Sequence, residues 1–578
     1  MNEGKDNMKS SQIDVDGIMR TLGHNKYFHT TQFILISGSI IIASTNSFLY
    51  MFYALTPEYQ CNNLTEFQFN QYNISINEVS VVYDKCSIDI INADEGLTTE
   101  NRTLDCVNGY YYTTPVDKSI VSQWDLVCNN LGLAESTQTV YTLGQMISGL
   151  LAPCLIEKFG RKPMRVSSHI LLLVFNLIAA FSPSYWLFTI MRFLIGGARE
   201  AYSISTAVLL SELYPKERRI IMSCLFMNIW GLYNCVLGYI AYILKDYSWN
   251  VSFLFNAVLS GYFILDFFFL KESLRWLFAN SKVEAAEKIV KKAAKQNKVD
   301  FDKVWRITFT DSSQPEVDGH VKETSPECRN NEPKAEIDGK IVADQSQIQT
   351  GKQTSDFVKL LAIFKSPYLR KVTIVISIEI IVNVGSLNSV LQMLEVLTGS
   401  IYLNFSVAAA VEIGTVALYS VIAKRFGHKI ALQCWKTFAA ACIMSTSLAK
   451  IFAEKDNTTE YIILVLYILA FAGLVAGASG DSIYMSELYP TQIRSVGTGF
   501  ATTSMRIACL AAPFLKLLAV VAPWAPGIII GTGCIISSIL LQVFLPETGN
   551  RVLPQTIEDV NMMEKKNKKN KIEIQTIS

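Results

Sequence analysis

Apolar residues in this chain gather into runs of about 20 positions, parted by short polar turns. A helix rises 1.5 Å per residue, so such a run matches the roughly 30 Å hydrocarbon core of a bilayer. Twelve runs reach this length. The first six cover about 31–54, 135–156, 164–182, 185–210, 220–244 and 249–270. The second six cover about 370–396, 401–423, 430–452, 461–485, 495–521 and 525–545. Gly and Pro fall inside several runs, which helices tolerate when bundled neighbours re-satisfy the backbone. No cleavable leader is expected, because the first 30 or so residues are polar and the first run is long enough to span.

Polar segments break the pattern in four places. Residues 55–134 form a loop holding Cys61, Cys86, Cys106 and Cys128, with sequons at Asn63, Asn73 and Asn101. Four cysteines in such a loop predict two disulfides, and three pairings are open. The clustered sequons predict a glycosylated, extracellular face. Residues 271–369 form the central linker. Within it, Val283, Ala286, Ile289 and Val290 recur at helical spacing, which predicts a short amphipathic helix. Residues 311–355 are polar and irregular. Residues 1–30 and 546–578 are polar ends, the second with a basic run from Lys565 to Lys571.

Charge adds sidedness. Lys158, Arg161, Lys162 and Arg165 follow the second run, Lys216, Arg218 and Arg219 the fourth, and Lys424, Arg425 and Lys429 the eighth. With twelve spans, all these turns and both ends share one side, which the Lys and Arg bias marks as cytoplasmic. Spans 31–270 and 370–545 then make two halves joined by an internal linker. Composition agrees: half of the 578 residues are hydrophobic and 17% are charged, too apolar for a soluble chain. The net charge of +1 is uninformative, and no nucleic-acid partner is expected.

The two halves repeat one set of motifs. Phe159-Gly160-Arg161-Lys162 returns as Phe426-Gly427-His428-Lys429. Ser211-Glu212-Leu213-Tyr214-Pro215 returns as Ser486-Glu487-Leu488-Tyr489-Pro490, with Arg219 and Arg494 each seven residues after the glutamate. Lys271-Glu272-Ser273 returns as Pro546-Glu547-Thr548. Glu212 and Glu487 stand 275 residues apart, as do Glu272 and Glu547. Gly allows the tight turn between antiparallel helices, and the charges sit at helix ends, where ion pairs can hold one conformation and release in another. Gly160, Arg161, Glu212, Arg219, Glu272, Arg275, Glu487, Arg494 and Glu547 are therefore the candidate gate.

These motifs, with Ser122-Gln123-Trp124-Asp125-Leu126-Val127-Cys128, Met191-Arg192-Phe193-Leu194, Glu272-Ser273-Leu274-Arg275-Trp276-Leu277 and Leu545-Pro546-Glu547-Thr548-Gly549, resemble the major facilitator superfamily. More narrowly, the chain is similar to the organic cation/anion/carnitine transporter family of solute carriers over residues 20–560. Leu274 stands where that family has proline, and His428 where it has a fully basic residue. The resemblance implies an all-α membrane protein of twelve transmembrane helices in two six-helix bundles, with a large extracellular loop between helices 1 and 2. It also implies a central cavity lined by spans 1, 2, 4, 5, 7, 8, 10 and 11.

Ionisable residues inside spans are costly and mark function. Arg506 lies 12 residues past Arg494, about 18 Å into span 11. Arg199 lies 13 residues before Glu212, at a similar depth in span 4. Two guanidinium forks at one level suit a carboxylate or sulfate. The resemblance adds that anion and carnitine carriers have arginine where Arg506 stands and cation carriers have aspartate. Glu412 matches a glutamate frequent in the family. Gln145, Asn383, Asn388, Tyr202, Tyr233 and Tyr484 are further cavity candidates. A structural ion pair of Arg506 with Glu412, Glu379 or Asp481 is the competing expectation, and Glu200 can pair with an arginine or meet a substrate ammonium.

The expected function is secondary transport of small organic ions, most of all anions or zwitterions, by alternating access at the plasma membrane. A cation or carnitine carrier of the same fold is the first alternative, and a non-transporting receptor or scaffold the second. Uniport, exchange against a counter-substrate and coupling to an ion all satisfy the pattern. No phosphate loop, nucleophile elbow or zinc spacing occurs, and the five His residues form no metal pattern, so no enzyme, cofactor or metal is expected.

Overall fold

A computed structural model describes residues 14–23, 26–71, 79–92, 102–307, 365–395, 397–454, 456–489 and 493–547. Asn73, Asn101, the linker over 308–364 and the tail from 548 lie outside the described residues, as does the side chain of Arg494. Among the described residues, twelve long helical segments follow the apolar runs. They are α1 (Tyr27–Tyr53), α2 (Leu131–Phe159), α3 (Arg161–Ala180), α4 (Tyr185–Leu213), α5 (Lys216–Leu244) and α6 (Trp249–Phe269), then α7 (Pro367–Met393), α8 (Ile401–Phe426), α9 (His428–Phe452), α10 (Asn457–Leu488), α11 (Arg494–Val521) and α12 (Ala525–Phe544). Ten are long and apolar enough to cross a membrane. The other two carry charges: Arg192, Arg199 and Glu200 on α4, and Lys429, Lys436 and Lys450 on α9. This is a multi-span membrane protein. Helix is the form in which such segments satisfy every backbone group without water.

Within the halves, α2 packs on α4, α3 on α4 and α6, α7 on α11, and α9 on α10 and α12. Between the halves, α2 meets α11 and α5 meets α8. Gly144 brings α2 against α4 so closely that a Cβ there would sit 3.2 Å from the Gly197 nitrogen. The helix ends define two faces. One carries the repeated motifs and is here the motif end; the other carries the loop after α1.

That loop holds β1 (Tyr59–Cys61), β2 (Val79–Tyr83), β3 (Ile88–Asn92), β4 (Arg102–Leu104) and β5 (Tyr110–Tyr112). β1 pairs antiparallel with β5, and β2, β3 and β4 form a second antiparallel sheet in that order. Cys61 joins Cys106 and Cys86 joins Cys128, which selects one of the three open pairings. Asn63 is exposed on this loop.

At the motif end, four short helices form a small module. Val283–Asn297 is the amphipathic helix expected from its spacing. It packs with Leu274–Ala279, Phe301–Ile307 and an N-terminal helix, Val15–Leu22, around Ile18, Met19, Leu22, Trp276 and Val290. The N-terminal helix was not anticipated among polar residues. Its signal is Asp14, whose carboxylate accepts from Gly17 N at 2.9 Å, followed by apolar Val15, Ile18, Met19 and Leu22.

Candidate functional site

Arg506 points from α11 across the interface between the halves. Its Nη2 donates to Glu200 Oε1 of α4 at 2.6 Å, and Nη1 donates to Gln145 Oε1 of α2 at 3.2 Å. Arg199 Nη1 donates to the other oxygen of Glu200 at 3.2 Å. Glu200 thus lies between two guanidinium groups from opposite halves. Arg506, Arg199 and Glu200 keep only 16%, 11% and 3% of their side-chain surface exposed. Two cations and one carboxylate leave the cluster with an unmatched positive charge. Nε of Arg506 and Nε of Arg199 are also buried without a hydrogen-bond partner among the described residues. A buried donor in this state is an open position for an acceptor oxygen.

The partner of Arg506 is therefore none of Glu412, Glu379 or Asp481. The last two belong to a different cluster. Lys436 of α9 contacts Glu379 and lies 3.2 Å from Asp481 Oδ1, and Asn383 Nδ2 donates to Asp481 Oδ2 at 2.8 Å. Asn383 is held there, inside the second half. The first half has a counterpart. Arg165 Nε donates to Asp266 at 2.9 Å, Nη1 to Thr206 Oγ1 at 2.7 Å and Nη2 to Ser39 Oγ at 2.6 Å, with His169 3.1 Å from Asp266. Tyr202 Oη donates to the Ser39 carbonyl at 2.8 Å, where α1 is interrupted. His169 and Lys436 each stand nine residues past the turn glycine, and Thr206 and Asp481 each six before the repeated glutamate. The two polar knots thus occupy matching places and fasten helices within a half.

Glu412 is half-buried on α8 beside Cys235 of α5. It has no ion pair among the described residues. Tyr233 lines a groove between α1 and α5, and Tyr484 donates to the Pro546 carbonyl at the motif end.

A second cross-half cluster was missed by the sequence reading. Lys516 of α11 lies 2.8 Å from Glu135 of α2 and 2.5 Å from Glu395, just past α7. Their side chains keep only 8–9% of their surface exposed. The available signal was a lysine inside an apolar run, the same signal that marks Arg506. Ring contacts extend this closure. Phe48 and Phe52 of α1 pack on Phe405 of α8, and Tyr242 of α5 packs edge-on against Tyr402. Cross-half contacts thus run from mid-length to the loop end.

The motif-end pairs lie within one half each. Arg161 grips Glu212 with two bonds, Nε to Oε2 at 3.0 Å and Nη2 to Oε1 at 2.8 Å. His428 Nε2 lies 3.8 Å from Glu487 at the matching place. The seven-residue spacing of Glu212 and Arg219 does not make a pair: Glu212 faces the start of α3, and Arg219 Nε donates to the Tyr214 carbonyl at 3.2 Å. Arg219 Nη2 lies 3.8 Å from Asp16 of the N-terminal helix, and Arg275 lies 2.5 Å from the same carboxylate.

Glu272 accepts from the backbone nitrogens of Arg161 and Lys162 at 3.2 and 3.1 Å, capping α3. Burial pushes its carboxyl above the usual range despite these bonds. The turn needs Gly160, whose φ is 105°, and a Cβ there would sit 2.5 Å from Glu272 Oε2. Gly427 has φ 92° and the same relation to Glu547, at 2.8 Å. Gly160→Ala is expected to lose about 1–3 kcal/mol to strain, read as a lower thermal midpoint of the purified protein. An unchanged midpoint would show that the turn relaxes freely.

The family model described as Major Facilitator Superfamily matches residues 129–513. Organic anion transporter 3 of Sus scrofa is 28% identical over 470 residues, covering 81% of this chain and 79% of that protein. Organic anion transporter 3 of Homo sapiens is 26% identical over 560 residues, with 96% and 94% covered. An organic cation transporter protein of Drosophila melanogaster is 24% identical over 558 residues, with 94% of each chain covered. Among solved structures, the inward open conformation of the xylose transporter XylE from E. coli aligns with a TM-score of 0.56 at 14% identity, covering 93% of this chain and 100% of that one.

Proposed function

The chain belongs to the Major Facilitator Superfamily, and from that premise we propose that it is a secondary transporter of small organic ions, anions above all. Relatives named as organic anion and organic cation transporters support the organic-ion part of this reading. The observation that carries the anion is the cluster of Arg506, Arg199 and Glu200, with one positive charge unmatched and two Nε donors unspent. A substrate carboxylate or sulfate supplies the missing charge and the missing acceptors. Glu412, half-buried and without an ion pair among the described residues, favours a second reading in which the substrate also carries an ammonium.

The protein resides in the plasma membrane in this proposal, with the motif end and both termini in the cytoplasm and the disulfide loop outside. The described conformation is then sealed on the outside by Lys516, Glu135 and the aromatic contacts, and the cycle alternates this seal with one at the motif end.

The test is a flux panel. The purified chain in liposomes is offered labelled aromatic carboxylates, quaternary ammonium ions and betaine-type zwitterions. Saturable carboxylate uptake is expected, faster than cation uptake. A preference for the ammonium ions would overturn the anion reading, and no flux of any class would overturn transport.

A further inference from the structure

A cavity of about 320 Å³ opens at the loop end, and none of the residues of the Arg506 cluster lines it. Its walls come from the end of α1, the turn between α5 and α6, the start of α8 and the loop that follows α1. Phe52, Tyr53, Trp249 and Tyr402 are aromatic lining residues, the first three largely buried, and Lys118 and Lys245 supply two cations. No aspartate or glutamate is among the lining residues. Phe52 and Tyr402 stack with centroids 5.3 Å apart and planes 10° from parallel. Lys118 spends one donor on the Asp246 carbonyl, and an ammonium has three. Lys245 is exposed, its Nζ 4.0 Å from the Tyr242 ring centroid.

Volume and lining agree on one ligand class. About 300 Å³ is the lower limit of small-molecule sites, which leaves room for one or two fused rings. Aromatic side chains in the wall suit a ring ligand, and two lysines against one nearby acid, Asp246 beside Tyr402, leave a net positive charge that favours an anion. We propose that this cavity is a second binding site, for an aromatic monoanion, separate from the mid-membrane arginines. Phe52 and Lys245 belong to the first half and Tyr402 to the second, so the occupant touches both halves and favours the conformation closed at the loop end. The proposal shares no residue with the transport site and stands apart from the reading of that site.

The experiment uses the full chain in nanodiscs of zwitterionic lipid, titrated with 2-naphthalenesulfonate, whose charge is constant over the working pH range. The mid-membrane arginines of the wild type offer the same anion a site, so the cavity is read in the Arg506→Ala background, where saturable binding is expected to remain. It is expected to weaken by about tenfold or more when Lys118→Gln/Lys245→Gln is added to that background. The single exposed change Lys245→Glu, which asks nothing of folding, moves affinity in the same direction. A naphthyl trimethylammonium ion is expected not to compete. Absence of wild-type binding, equal affinity in the lysine variants, or loss of binding in Arg506→Ala would each overturn the proposal.

Discussion

Arg506→Ala is expected to lower organic-anion uptake by about 10- to 100-fold at equal surface expression, the worth of a charge-assisted hydrogen bond in a buried site. The change removes one of the two guanidinium groups that face each other across the halves, and Glu200 is left to Arg199 alone. The cluster becomes neutral, and the reason for an anion to enter disappears. Arg506→Asp goes further. It sets a second carboxylate against Glu200, so cation uptake is expected to rise relative to anion uptake. Arg506→Lys keeps the charge without the planar fork and is expected to fall between wild type and the Ala variant. Initial rates normalised to surface protein decide the matter. Anion uptake at the wild-type rate in Arg506→Ala would remove this residue from substrate recognition.

Lys516→Met is expected to open the loop end. Glu135 and Glu395 both lean on this one ammonium, from α2 and from the end of α7. Removing one member of a buried ionic cluster costs about 3–5 kcal/mol, because the charges left behind have neither water nor a partner. Two carboxylates then repel across the interface between the halves, and the cheapest relief is separation. A cysteine placed at Ser406, whose hydroxyl now donates to the Cys235 carbonyl at 3.0 Å, reports this as faster labelling by an impermeant maleimide added outside. Neutralising the carboxylates with Glu135→Gln and Glu395→Gln in the Lys516→Met background is expected to restore protection. Equal labelling rates with and without Lys516 would mean that the aromatic contacts alone hold the closure.

The elements legible in the sequence were those written in local pattern. All twelve spans lie within a few residues of their helices, since a bilayer demands one unbroken apolar length. Val283–Asn297 was legible from its 3–4 spacing. The N-terminal helix Val15–Leu22 was not, because its one apolar stripe is shorter than the polar background around it. Partner choice was the harder level. Depth counting placed Arg199 and Arg506 at one height, and the structure brings both to Glu200. Counting along a helix gives height but not azimuth: neighbours differ by about 100° around the axis. Which helix faces Arg506 depends on how twelve helices rotate in the bundle. For that reason Glu379 and Asp481, plausible by depth, turned out to face Lys436 instead. Glu212 and Arg219 show the same limit, since seven residues along the chain say nothing about the Arg161 side chain that reaches Glu212 first.

One arrangement among these contacts has a mechanical meaning. On α11, Arg506 and Lys516 are ten residues apart; on the antiparallel α2, so are their partners Gln145 and Glu135. The two helices are joined like the sides of a ladder by two rungs about 15 Å apart. If the inner rung serves as a fulcrum, a tilt of about 20° swings the outer rung apart by roughly 5 Å over that 15 Å arm. The ammonium and carboxylate would then be well beyond contact while Arg506 is still within reach of α2. The lever arm sets an order of events: the outer rung can part while the inner one, where the cargo's charge would be held, stays joined.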